Sequence, residues 1–320
     1  MLKTLSESQA AFSELLDSID SKVIPSFLQW VGESFCKEKE EPRSDASHDG
    51  AAILREIAHH IKMKMPTTAT VESEKMLWPT VGHDADCNPT NTVHVDCFLF
   101  EDDDVEALVE EGKLTRSFCR DCGSKNTMPL NFISHSLSVD QLQFAFTSLV
   151  PLTGEKENRR VVDIGSRLGA VTAAAHLFSG GRATVTGIEF NEDFCTLQRQ
   201  IKDHFHLDSV DVVHSDVRLQ AELIKSADIV VMNNVFSFFQ NIDDQVSCWS
   251  FLHDNLRPGT LVIHNPSIEE VTAHLPLPFT IRQWLAKKAS TRVLAKRFAG
   301  ANEELLEDCC QLTLYEVRSP

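Results

Sequence analysis

The chain has 320 residues, 42% of them hydrophobic, enough to bury a sizeable core in one large domain or two modest ones. Its formal net charge of −17 repels phosphate backbones and argues against nucleic acid as a partner. No run of about eighteen apolar residues occurs, so no membrane span is expected. The opening MLKTLSESQAAFSELL carries acids and lacks an apolar core with a cleavage site, so it does not read as a signal peptide. Nine cysteines without a secretion signal point to reduced thiols and an intracellular location, cytoplasmic or nuclear.

Residues 5–36 have helical periodicity, through Phe12, Leu15, Leu16, Ile19, Val23, Phe27 and Val31, with Pro25 kinking or splitting the run. The charged stretch 37–50 reads as a loop, and a short helix is expected over 51–63. Pro79, Gly82, Asn88, Pro89 and Asn91 mark a second loop. EDDDVEALVEEGKL then reads as an acidic helix on an insertion, and a further helix is expected near 138–149.

Beyond a polar break at 154–159 the pattern changes. Apolar runs rich in β-branched residues recur at 161–164, 184–189, 210–214, 228–232 and 260–264, with helical segments at 170–178, 192–205 and 241–256. That alternation predicts an α/β fold with a doubly wound parallel sheet. QLTLYEVR at 311–318 reads as an added edge strand, and RQWLAKKASTRVLAKR as an amphipathic helix or strand. The organisation expected is a helical N-terminal module over 1–128 and an α/β domain over 129–320.

In open parallel sheets, ligands bind outside the C-terminal strand ends. VVDIGSRLGA places Gly165 and Gly169 at the first such end, where a turn and a close backbone approach both favour glycine, with backbone N–H groups expected to point outward. Strand two ends in Glu189, which suits a ribose diol, and strand three in Asp216, which suits the exocyclic amine of adenine. Strand four ends in MNNVFSFF, two amides beside aromatic rings. G-x-x-x-G, with an acid two residues before it, differs from the G-x-G-x-x-G of nicotinamide enzymes.

DIGSRLG, GIEFN, SDV and NNVF together resemble the class I S-adenosylmethionine-dependent methyltransferases, a Rossmann-like fold, over about 130–320. The resemblance implies that Asp163, Gly165, Ser166 and Gly169 receive the methionine part of the cofactor. Glu189 would hold the ribose, and Asp216 with Val217 the adenine. Arg167 stands at the usual middle glycine, and its side chain is expected to point outward while the backbone follows the turn.

Methyl transfer to a neutral nitrogen depends mainly on positioning. The amides of Asn233 and Asn234 can align an acceptor, with Asn233 also touching the cofactor, and Phe236 can wall the site. NNVFSFF and NFISHSLSVDQLQFAF resemble the non-SET histone-lysine methyltransferases. That resemblance implies a channel lined by Ser134, His135 and Ser136, with His135 orienting or deprotonating the acceptor. The expected activity is N-methylation of a protein side chain, lysine or another nitrogen. Alternatives are a small-molecule or RNA methyltransferase, or a non-catalytic interaction protein on a degenerate fold.

HVDC and CRDCG give His-x2-Cys and Cys-x2-Cys-Gly, which suit a closed tetrahedral zinc site of structural type. His94, Cys97, Cys119 and Cys122 are the expected ligands, with His83 and Cys87 as possible substitutes.

Overall fold

The computed structural model describes residues 23, 26–27, 45–120, 127–152, 158–289 and 291–319. The helical run expected over 5–36 lies almost wholly outside the described residues. Contacts group Met1–Ser44 as one unit and Asp45–Pro320 as another. The break expected at 128/129 falls inside the second unit, and everything below concerns that unit.

Helix α1, Asp45–Lys62, begins earlier than the sequence suggests and takes in the end of the expected loop. It buries Ala51, Leu54, Ile57, Ala58 and Ile61, an i, i+3/i+4 stripe. After it come β1, Thr92–His94, and α2, Asp102–Glu110, the acidic helix, opened by a capping box between Glu101 and Asp104. β2, Ser117–Cys119, pairs antiparallel with β3, Thr127–Pro129, and β4, Asn131–Ile133, pairs parallel with β1. Helix α3, Val139–Phe144, opens with a Ser138–Gln141 capping box and runs on as a π-turn through Leu149.

The doubly wound unit follows. In chain order it comprises β5 (Arg160–Ile164), α4 (Ala170–Ser179), β6 (Thr184–Glu189), α5 (Glu192–His204) and β7 (Val210–His214). Next are α6 (Ala221–Ser226), β8 (Ile229–Asn233), α7 (Ile242–Asn255), β9 (Leu261–Asn265) and α8 (Ile268–Thr272). The chain then forms α9 (Ile281–Trp284), β10 (Leu285–Lys287), α10 (Thr291–Ala299), α11 (Glu303–Gln311) and β11 (Thr313–Val317). The sheet order is β10-β11-β9-β8-β5-β6-β7. β5 to β9 are mutually parallel, and β11 runs antiparallel to both its neighbours.

Two expectations change. The last strand is not at an edge: β11 is inserted between β9 and β10. The segment 282–297 is neither one helix nor one strand but supplies the end of α9, edge strand β10 and most of α10. Successive connections run from β5 outward to β7, then return to β8 on the other side of β5. This reversal puts a crevice at the C-terminal ends of β5 and β8. Val161, Val162, Val185, Ile188, Val230 and Val231 are buried, as befits strands covered on both faces.

Candidate cofactor and acceptor site

The loop after β5 is constrained from two sides. Gly165 has φ +74°, and a Cβ there would lie 2.0 Å from Val235 Cγ2, so glycine is required by backbone and by space. Gly169, at φ +78°, starts α4 against Gln198. Ser166 turns inward and donates to Gln198 Oε1 at 3.0 Å.

The loop N–H groups do not point outward as expected. Gly165 and Ser166 both donate to Ile188 O, at 2.9 and 3.1 Å, and Gly169 donates to Ser166 O at 2.6 Å. Arg167 N donates to Glu189 Oε2 at 2.9 Å. With these donors used within the protein, the loop makes a poor pyrophosphate cradle and suits a ligand end without phosphate.

Arg167 itself follows the turn at φ +43°, as the sequence suggests, but its side chain is buried rather than turned out. Its guanidinium forms a bidentate pair with Glu74, Nε–Oε1 2.8 Å and Nη2–Oε2 2.9 Å. It also donates to Ala69 O at 2.8 Å, reaches Asp96 Oδ2 at 3.5 Å, and lies 4.9 Å from the centre of the Phe194 ring. The left-handed backbone costs roughly 1–2 kcal/mol for a non-glycine residue. The side chain gains an ion pair with both partners almost fully enclosed.

Glu189 is buried and accepts from two backbone N–H groups, Arg167 and Asn191, the latter at 2.8 Å. Burial pushes its carboxyl up, and those two bonds and Arg167 oppose the shift. Asp163, one strand over, is pushed up to about 8 by burial and by the nearby Glu189 charge. Asp216 caps the short turn Val217–Leu219 and is gripped by Arg218, Nη2–Oδ2 2.6 Å, which holds its carboxyl below the usual range. Arg218 also pairs with Asp244 at 3.0 Å.

Glu189, Asp216 and Arg218 line two adjoining cavities, and Asp163 lines neither. The wider, about 340 Å³, runs past Ile164, Ile188, Phe190, Asp216, Val217 and Phe236. The narrower, about 30 Å³, is bounded by Glu74, His135, Arg167, Glu189, Asn191 and Asn233. Gly165, Phe190, Val235 and Phe239 belong to both. Phe236 packs edge-on against Trp249, so it walls the wider cavity rather than the acceptor end.

At the end of β8, Asn233 Oδ1 accepts from Asn265 Nδ2 at 2.9 Å. Asn234, at φ +43°, points elsewhere: it donates to Asp84 at 2.9 Å and accepts from Ser237 at 2.7 Å. His135 Nε2 lies 3.0 Å from His94 Nδ1, with the rings stacked and Phe238 and Phe239 edge-on to His135. Burial, with Arg167 and His94 adding to it, keeps His135 well below its ordinary pKa and therefore neutral. Ser134 and Ser136 line a different groove, described below.

Of the expected zinc ligands, the three that are described, His94, Cys97 and Cys119, do not form a metal-binding group. Among the described residues no group of three or more His, Cys, Asp or Glu side chains could hold a metal ion. His94 faces His135 instead, while Cys97 donates to Ser136 O at 3.0 Å and accepts from Ser134 at 3.2 Å. Burial pushes the Cys97 thiol up to about 12. Cys119 is exposed on β2, and Cys122 lies outside the described residues. The substitutes are no closer to a site: His83 is exposed and Cys87 buried.

Glu74, Phe190, Phe239 and Arg218 were not singled out by sequence. Phe190 directly follows the strand-two acid and Arg218 lies two residues after Asp216, so both were findable. Glu74 had no local signal, because its partner is 93 residues away.

Residues 162–262 match a family described as a methyltransferase domain. A search of curated proteins returns no match. Among solved structures, similar ones include a precorrin-6y C5,15-methyltransferase from Geobacter metallireducens GS-15, at 13% identity and TM-score 0.31 over 37% of this chain and 60% of that one. A putative rRNA-methylase from Clostridium thermocellum aligns at 15% identity and TM-score 0.39, over 58% of this chain and 99% of that one. An RNA methyltransferase from Salinibacter ruber in complex with S-adenosyl-L-homocysteine aligns at 22% and 0.30, over 39% and 73%. The match thus spans less than two thirds of the first of these structures.

The cavities fit the cofactor this fold implies. The wider one falls within the ~300–1,000 Å³ typical of small-molecule sites and combines apolar walls with Asp216, while Glu189 lines the adjoining one. The strand order and the family match agree: residues 162–262 match a methyltransferase domain, within a sheet of the class I S-adenosylmethionine-dependent methyltransferase fold.

Proposed function

We propose that the protein transfers a methyl group from S-adenosylmethionine to a nitrogen on a protein side chain, that of lysine or another residue. When bound, the cofactor supplies a methyl group made electrophilic by the adjoining sulfonium. In this reading Glu189 holds the ribose and the Asp216–Val217 turn the adenine. Asn233, its carboxamide fixed by Asn265, orients the acceptor. His135 stays neutral among Phe238 and Phe239, which keep water from the reacting nitrogen and favour its uncharged form.

The observation that carries the protein-amine reading is a groove of about 670 Å³ beside the acceptor end. Asn265 lines it, as do Glu101, Asp102, Asp103, Glu304 and Asp308. Arg55 offsets part of this charge through Glu101 and Asp140. Burial and neighbouring carboxylates, Asp102 first, still push the Asp308 carboxyl up. Such a groove repels RNA phosphates and attracts cationic side chains. Residues Ser134 and Ser136 add hydroxyls to its wall.

The test uses methyl-labelled cofactor with cell extract, followed by protease, ribonuclease and size fractionation. Label lost to protease supports the proposal; label lost to ribonuclease, or confined to small molecules, overturns it. Asn233→Ala should slow protein labelling about 10–100-fold while leaving cofactor affinity within about threefold, the pattern of lost positioning rather than lost binding.

A further inference from the structure

We propose that the His135 side chain is a gate between the acidic groove and the narrow cavity, and that His94 is its latch. An acceptor side chain arriving along the groove reaches the cofactor only when that imidazole swings aside. This rests on the protein side-chain reading and adds the acceptor's route of entry. Three observations carry it.

The first is a wall. The groove and the narrow cavity share no lining residue, yet they meet back to back at two places. Ser134 and Ser136 line the groove, while His135 between them lines the cavity. Asn265 lines the groove, while Asn233, bonded to it at 2.9 Å, lines the cavity.

The second is room. At about 30 Å³ the cavity holds about two water-sized groups. An amine on its methylene, together with a methyl in transit, needs more. An imidazole turned out of the cavity wall supplies that space.

The third is which part of the wall can yield. Asn233 and Asn265 are register partners on the parallel strands β8 and β9, so the sheet fixes them. The backbone about His135 is tied as well: Ser134 Oγ accepts from Cys97 N at 3.0 Å, and Ser136 Oγ donates to Asp96 Oδ2 at 2.7 Å. The imidazole itself is held by one hydrogen bond, Nε2 to His94 Nδ1 at 3.0 Å, and by ring contacts with His94, Phe238 and Phe239. A rotamer change therefore breaks one hydrogen bond, whereas any other opening disrupts the sheet or the loop. His94 reaches the gate because β1 pairs with β4 in the register His94–Ile133, two residues before His135. Its other nitrogen, Nε2, is enclosed without a partner among the described residues, so the bond to His135 is the one polar contact of the ring.

The experiment compares the full chain with three variants. His94→Phe keeps a ring and removes the bond, His94→Asn keeps a polar partner near the Nδ1 position, and His135→Ala removes the gate. Transfer of labelled methyl from S-adenosylmethionine is measured against graded amounts of extract protein, and S-adenosylhomocysteine is titrated alongside. His94→Phe and His135→Ala should lower the half-saturating amount of extract protein about three- to tenfold, as loss of one hydrogen bond holding the closed state allows. His94→Asn should return it to within about twofold of the parent, and S-adenosylhomocysteine affinity should stay within about threefold throughout. An unchanged or raised half-saturating amount in His94→Phe and His135→Ala, or a fall in the saturating rate alone, overturns the gate and leaves His135 a packed wall. Should His94→Phe lose S-adenosylhomocysteine binding, His135→Ala decides by the same shift; loss of binding in both makes the ring pair structural and overturns the gate. If the unaltered chain binds S-adenosylhomocysteine but labels no protein, the protein side-chain reading fails and the gate with it. If it labels protein and half-saturation does not move in the variants, only the gate fails.

Discussion

The wider cavity is lined wholly by residues between Ile164 and Asp244, whereas the narrower one takes Glu74 and His135 from earlier in the chain. The first follows from topology: a parallel sheet that reverses direction beside β5 brings the loops after β5, β6 and β7 together whatever the rest of the chain does. The second depends on side-chain pairs spanning long stretches of sequence. One end of the site is therefore generic to the fold, and the other is particular to this chain.

The sharpest way to break that contrast is Arg167→Gly, which restores the residue the fold commonly has. Backbone strain of roughly 1–2 kcal/mol is relieved. Removing one partner of a buried pair, however, costs about 3–5 kcal/mol, because Glu74 keeps an enclosed, uncompensated charge. The variant should be net less stable by about 1–4 kcal/mol in urea unfolding. A gain in stability would mean that Arg167 is a tolerated irregularity and not a structural tie.

Glu189→Gln tests the narrower cavity. A Gln carboxamide has one acceptor oxygen for the Arg167 and Asn191 N–H groups, so one is left poorly satisfied, at about 1–3 kcal/mol. Melting temperature should fall, and cofactor affinity should drop about tenfold or more by titration. Unchanged affinity would place the ribose elsewhere.

Asp163→Asn gives a pH signature. The folded-state carboxyl sits at about 8 against 3.8 in the unfolded chain. Between those values the folded state keeps a proton that the unfolded state has released, so this group lowers stability as pH rises. The Asn variant lacks that titration. Its melting temperature relative to the parent should rise steadily from pH 5 to pH 8, and a flat difference would show Asp163 to be ordinarily ionised.

The smallest effect is expected at the far rim. Asp244 and Arg218 are partly exposed, and pairs of that kind contribute about 0.2–1 kcal/mol. Asp244→Asn should change stability by less than about 1 kcal/mol and adenosine binding by less than about threefold, because Asp216 still holds Arg218.

The parallel strands and the acids at their ends were readable because each is a local pattern: a β-branched run, then Gly, Glu or Asp at the turn. Asn233 and Asn234 looked equivalent in sequence, but the left-handed backbone at 234 turns that amide to Asp84. The His and Cys spacing suggested a metal because spacing alone does not show that His94 and Cys97 face His135, Ser134 and Ser136. Arg167 looked like a departure from the loop pattern because its reason, Glu74, lies far away in sequence. Likewise β11 read as an edge because nothing in QLTLYEVR reveals that β10 pairs outside it.

That inserted strand also imposes an order in time. β10 has β11 as its sheet partner, yet it is synthesised first, with α10 and α11 made in between. Until Thr313–Val317 emerge, β9 presents an open flank and the cluster joining Trp249, Trp284, Leu285 and Tyr315 lacks its central strand. This side of the sheet therefore closes only once Thr313–Val317 have been made, and until then β9 offers an open edge to any chaperone, or any neighbouring chain, within reach.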